Sequence, residues 1–145
     1  MTLTSPREAL QNLVKIGKPK AEPPDQSEFD GFVRSAGRKL PDAQNAALSP
    51  DSRFILAYDA AHSLALAALR WHGFRSENRY IVFRVLGSTA SFPVAKWRFL
   101  DNCHQKRNIA LYDGDYAEDE QLISELIKMA GELEVAVKAL GPAGP

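Results

Sequence analysis

The segment FILAYDAAHSLALAALR, residues 54–70, decides the fold. Between Arg53 and Arg70 its single formal charge is Asp59, set among Phe54, Ile55, Leu56, Ala57, Tyr58, Ala60, Ala61 and the leucines and alanines of residues 64–69. A helix with apolar side chains on nearly every side has no solvated face, so it belongs at the centre of a bundle. Its alanines let neighbouring helices approach closely. In LSPDSRF, Ser49 supplies an N-cap, Pro50 suits the first turn, and Gly73 supplies the stop beyond His72.

Outward from this segment the punctuation stays helical. Asp25 to Glu28, DQSE, opens a helix predicted to run toward Leu48, weakened by Gly31 and Gly37 and kinked at Pro41. NRYIVFRVL, residues 78–86, predicts a shorter helix ended by Gly87. In SFPVAKWRFLDNCHQKRNIALY, residues 91–112, Val94, Trp97, Leu100, Cys103 or His104, Asn108 and Leu111 recur at three- and four-residue spacing. From Glu118 to Leu140 the apolar stripe is Leu122, Leu126, Met129, Leu133, Ala136 and Leu140, with acids in the first turns, where they suit the helix dipole. The expectation is an all-α, up-and-down bundle of four to five helices over residues 27–140. A short N-terminal helix (1–17, capped at SPRE), a Pro-rich linker (18–26) and a disordered tail (141–145) flank it.

One domain's worth of chain, 145 residues at 45% hydrophobic content, is enough for one real core. No charged-then-apolar leader and no uncharged apolar run near 18 residues occurs, so neither a signal peptide nor a membrane span is expected, and the expected location is cytoplasmic. Cys103 stands alone, which leaves no internal disulfide and no metal knuckle, and it reads as a small packed residue. No metal and no cofactor is expected: GDYAEDE lacks the ligand spacing of a calcium loop, and Ser63 and Ser91 lie in no nucleophile elbow.

The formal net charge of zero hides a separation along the chain. Residues 70–107 hold eight bases against two acids, and residues 113–138 hold eight acids against two lysines. Either the blocks pair or lie on solvated faces, or the basic one forms a surface that attracts a phosphate backbone. Within the basic block, His104, Asn108 and Tyr112 share a helix face, with Arg107 beside them and Asp101 a turn earlier. A guanidinium fork suits phosphate, an amide can fix a ribose or base edge, and imidazole titrates near neutrality. Asp59 and His62, three residues apart in the most apolar helix, need partners, because a buried polar group left unpaired costs about 1–3 kcal/mol. They can satisfy each other or a backbone carbonyl, or they can meet Arg107 or Asn108.

LAYDAAHSLALAALRWHGFRSENRY, residues 56–80, followed by KRNIALYDGD, residues 106–115, resembles a bacterial branch of the HEPN (higher eukaryotes and prokaryotes nucleotide-binding) superfamily. The resemblance covers Phe29 to about Leu140. It implies a helical bundle that commonly dimerises near its late motif helices. Many members are RNA-cutting toxins whose motif is Arg, usually Asn, three residues, then His. Arg107 and Asn108 match, but Tyr112 stands at the histidine position, and a phenol with pKa near 10 is a poor base at neutral pH. The tyrosine that a nucleotidyltransferase partner modifies in some toxins corresponds to Gly114, leaving Tyr112 and Tyr116 as nearby phenols.

Two functions follow from the resemblance. The first is an RNA- or nucleotide-binding homodimer, paired in a toxin-antitoxin manner with a nucleotidyltransferase, binding through Arg107, Asn108, Tyr112, Asp59 and Tyr116. The second is a metal-independent endoribonuclease with Arg107 on the phosphate and His104 or His62 as acid and base.

Overall fold

The computed structural model describes residues 20–76, 79–113 and 120–143, without the side chains of residues 20, 79, 80 and 109–113. In chain order the elements are β1 (Lys20–Ala21), α1 (Gln26–Ala43), α2 (Pro50–Trp71), β2 (Phe74–Arg75), α3 (Arg79–Arg84), α4 (Leu86–Thr89), α5 (Val94–Asp113) and α6 (Glu120–Lys138). The class is all-α, with one two-residue ribbon where β1 pairs antiparallel with β2. The expected helix of residues 1–17 lies outside the described residues.

The centre of the molecule is α2. Phe54, Ala57, Tyr58, Ala60, Ala61, Leu64, Ala65, Ala67, Ala68 and Leu69 are all buried, which covers every side of the helix, and it touches α1, α3, α4, α5, α6 and β2. Its ends form as the sequence requires: the Ser49 hydroxyl accepts from the Ser52 amide at 3.2 Å, and Gly73 leaves the helix at φ +86°, a conformation side chains rarely adopt. The helices packed closest present small residues too, Ala36 and Ala43 on α1 and Ala130 on α6, each fully buried. In contrast, α5 rests mainly on α3 and touches α2 and α6 more sparsely.

Several expected boundaries move. α1 stops at Ala43, within a turn of Pro41, and Arg53 from α2 donates to the Ala43 carbonyl at 2.9 Å while pairing with Glu120 at the start of α6 at 2.8 Å. Helix α1 therefore ends five residues before Leu48. Gly87 ends nothing. The chain breaks at Val85, and Gly87 sits inside α4, because the second short turn is what buries Leu86 and Thr89; the left-handed residue that follows is Ser91, at φ 51°. On α6 the buried stripe is Ile123, Leu126, Ala130, Leu133 and Val137, so Leu122, Met129, Ala136 and Leu140 flank the core. Where the chain enters α5, Phe92 is buried and Trp97 and Phe99 of the helix pack against the core, while Val94 is 50% exposed and leaves the expected stripe.

Both flanks are tied to the bundle where they are described. Arg70, buried at the end of α2, donates to the carbonyls of Glu22 (3.1 Å) and Pro23 (2.7 Å) and to the Glu28 carboxylate (2.8 Å). Arg75 bonds Glu22 and Glu28. The Pro-rich segment from Lys20 onward is thus docked and is no free linker, since a buried guanidinium requires these acceptors. Gly141 to Ala143 are held as well, by the Trp71 indole N–H donating to the Pro142 carbonyl at 2.9 Å and by the Ala143 amide donating to Gln26.

Hydrogen bonds from Arg70 and then Arg75 hold the Glu28 carboxyl below its usual value of about 4.5. A depressed carboxylate pKa stabilises the fold above that usual value, and the contribution disappears as pH falls through the lowered one. Urea unfolding should therefore show stability falling with acidification below about pH 4.5, with a shallower fall for Glu28→Gln. The same acid slope in both proteins would remove Glu28 from the account.

Candidate functional site

Of the polar residues singled out in the sequence, His62, His104, Arg107 and Asn108 come together where α5 crosses α2 beside α3, and Tyr58 joins them. Tyr58 and His62 are one turn apart on α2, His104 and Asn108 one turn apart on α5, and Arg107 follows His104 by three residues. The Tyr58 hydroxyl is 2.7 Å from His104 Nδ1, and Asn108 Nδ2 is 3.2 Å from His104 Nε2. A neutral imidazole offers one donor and one acceptor, so turning over the Asn108 amide reverses the direction of the chain and leaves both bonds intact. The Tyr58 ring stacks on His62 (6.0 Å between centroids) and on His104 (6.1 Å), and Phe83 meets Tyr58 and His62 edge-on.

The cluster has a dry base and an open rim. Tyr58 is fully buried and His104 is 2% exposed, whereas Arg107 and Asn108 are half-buried. The Arg107 guanidinium lies 5.2 Å from the centroid of the Tyr58 ring, a cation–π contact, and among the described residues its N–H donors have no hydrogen-bond acceptor. Among the described residues no carboxylate pairs with it. His104, 2% exposed and with both ring nitrogens engaged, holds Tyr58 and Asn108 in place.

Asp59 does not join them. It is half-buried, one residue round the helix from Tyr58, and among the described residues it bonds neither His62 nor Arg107 nor Asn108. Tyr58 takes the role expected of Asp59. His62 reaches the cluster through its ring stack. The Tyr112 side chain and all of Tyr116 lie outside the described residues.

Among the described residues half of the basic block's eight side chains meet a carboxylate, and one of those pairs reaches the acidic block. Arg70 and Arg75 bind Glu22 and Glu28, Arg84 faces the buried Asp101 at 3.4 Å, and Lys96 reaches Glu132 across α5 and α6 at 3.1 Å. Along α5 this leaves Arg98, Lys106 and Arg107 without an acidic partner among the described residues. Arg98 lies over Trp97. Among the described residues no three His, Cys, Asp or Glu side chains are grouped to hold a metal. Burial pushes the Cys103 thiol up to about 12, against a smaller opposing effect of Lys106, so it carries no nucleophilic thiolate at neutral pH. No described helix is long and apolar enough to cross a membrane.

Compared with known proteins, the chain matches no family model, no curated protein and no solved structure.

Proposed function

We propose that this protein binds RNA or a nucleotide through phosphate contacts at Arg107 and does so with little or no cleavage. What supports the reading is the state of Arg107: a guanidinium oriented by the Tyr58 ring, with no carboxylate paired to it among the described residues, above a base of Tyr58, His104 and Asn108 that fixes the local geometry. A fork of donors carried by α5 and held against a ring of α2 is pre-organised for a phosphate, and charge-assisted bonds of this kind are the strong ones. The resemblance of Arg107 and Asn108 to the HEPN motif points the same way. Weak cleavage follows from Tyr112 at the usual base position and from the burial of His104.

The experiment is titration of labelled single-stranded RNA against the parent and Arg107→Ala, followed by incubation of both with RNA. Arg107→Ala is expected to weaken binding at least tenfold and leave the thermal melt unchanged. Equal affinity would remove Arg107 from the site, and rapid cleavage of RNA by the parent would overturn the weak-cleavage reading.

The resemblance also carries homodimerisation and a nucleotidyltransferase partner into the proposal. Exposed apolar side chains at Val94 (50%) and Val135 (70%) support the first. Light scattering at micromolar concentration should give twice the 16.0 kDa chain mass. A single-chain mass at all concentrations would contradict it.

A further inference from the structure

A second face of α5 borders a cleft of about 350 Å³ between α5 and α6. Phe99, Cys103 and Leu122 form its apolar lining, and Asn102, Gln105 and Lys106 stand round it. The volume falls in the ordinary range for small-ligand pockets, about 300–1,000 Å³. Phe99, Asn102, Cys103 and Lys106 follow the three- and four-residue spacing of one helix face, and Lys106 is chain neighbour to Arg107, so the cleft and the Arg107 rim meet along one edge of α5. The three polar side chains are exposed and, among the described residues, make no hydrogen bond or ion pair.

That chemistry selects among occupants. A purely apolar ligand would leave two amides and an ammonium group to lose water without compensation. An inorganic anion would use Lys106 and ignore the aromatic wall. A nucleobase uses all of it: its flat face suits Phe99, and the paired donor and acceptor of a side-chain amide match a purine edge, as Asn and Gln match adenine. Cys103 contributes only surface, because its thiol stays protonated.

Building on the nucleotide-binding reading, we propose that this cleft receives a purine base, with its ring against Phe99 and Leu122, its edge read by Asn102 and Gln105, and the attached phosphate shared by Lys106 and Arg107. The cleft sets base preference and Arg107 sets phosphate affinity. Calorimetric titration with adenosine, ribose 5-phosphate and adenosine 5′-monophosphate separates the two parts. The parent should bind the monophosphate at least tenfold more tightly than ribose 5-phosphate. The double variant Asn102→Ala/Gln105→Ala, confined to exposed side chains, should erase that advantage and leave ribose 5-phosphate affinity unchanged. Arg107→Ala should weaken both phosphate compounds and spare adenosine. Equal affinity of the parent for the monophosphate and ribose 5-phosphate, or an advantage that survives the double variant, overturns the base site while the phosphate reading stands. Adenosine binding lost in the double variant, alongside phosphate affinity indifferent to Arg107→Ala, supports the cleft and removes the phosphate reading.

Discussion

Ala61→Glu is expected to abolish cooperative folding. Ala61 has no exposed surface and lies mid-way along α2, the helix that every other long helix touches. A glutamate there has no room and no contact with water among its apolar neighbours, so the variant combines overpacking with burial of a charge. Each effect is worth several kcal/mol, and together they approach or exceed the roughly 5–15 kcal/mol by which whole domains are stable. Circular dichroism should show a loss of helix and no thermal transition. Ser124→Glu, at an exposed position on α6, is the control and should melt like the parent. A cooperative melt of Ala61→Glu matching the parent would mean that α2 is not the centre of the bundle.

His104→Ala carries the next largest effect, and it separates two roles for the residue. A histidine that only handles protons at a solvent-filled site can be removed without loss of stability. His104 is 2% exposed and holds Tyr58 and Asn108 through its two ring nitrogens. Removing the ring opens a cavity and takes a partner from a hydroxyl with no access to water, a combined loss of about 2–4 kcal/mol. Urea unfolding should register it. Tyr58→Phe should lose less, about 1–3 kcal/mol, and the two losses should fall short of additive, since both break the same bond. Unchanged stability in His104→Ala would return the residue to the catalytic reading.

Much of the fold is legible in the sequence where local chemistry decides it. Asp25 caps α1 by accepting from the Glu28 amide at 3.1 Å, Ser49 and Pro50 start α2, and Gly73 ends it, because each satisfies or avoids specific backbone groups within a few residues. What depends on distant neighbours is not legible. On α6 both Leu122 and Ile123, and both Ala136 and Val137, are apolar, so periodicity defines a broad face and only packing on α2 chooses the edge that is buried. The docking of residues 22–24 depends on Arg70 meeting Glu28, 42 positions away, and Arg70 looks in sequence like the ordinary basic end of a helix.

The same distinction holds for the site. His104, Arg107 and Asn108 share a face by helical spacing alone, which the structure bears out. Tyr58 was hidden among apolar neighbours, although its four-residue spacing to His62 in so apolar a helix is the signal that could have found it. Asp59 draws attention because it is charged, yet the residue before it is the one that faces α5. The cleft beside Phe99 needs two helices to exist and has no signature in either one.

The central claim, that Arg107 binds phosphate, is tested most directly by the salt dependence of RNA affinity. Each phosphate neutralised on a single strand releases condensed counterions and steepens the plot of log affinity against log salt by about 0.7. Removing one phosphate contact should make the plot for Arg107→Ala shallower by about that amount, with weaker binding at low salt. Parallel plots for the two proteins, at equal affinity, would contradict the claim.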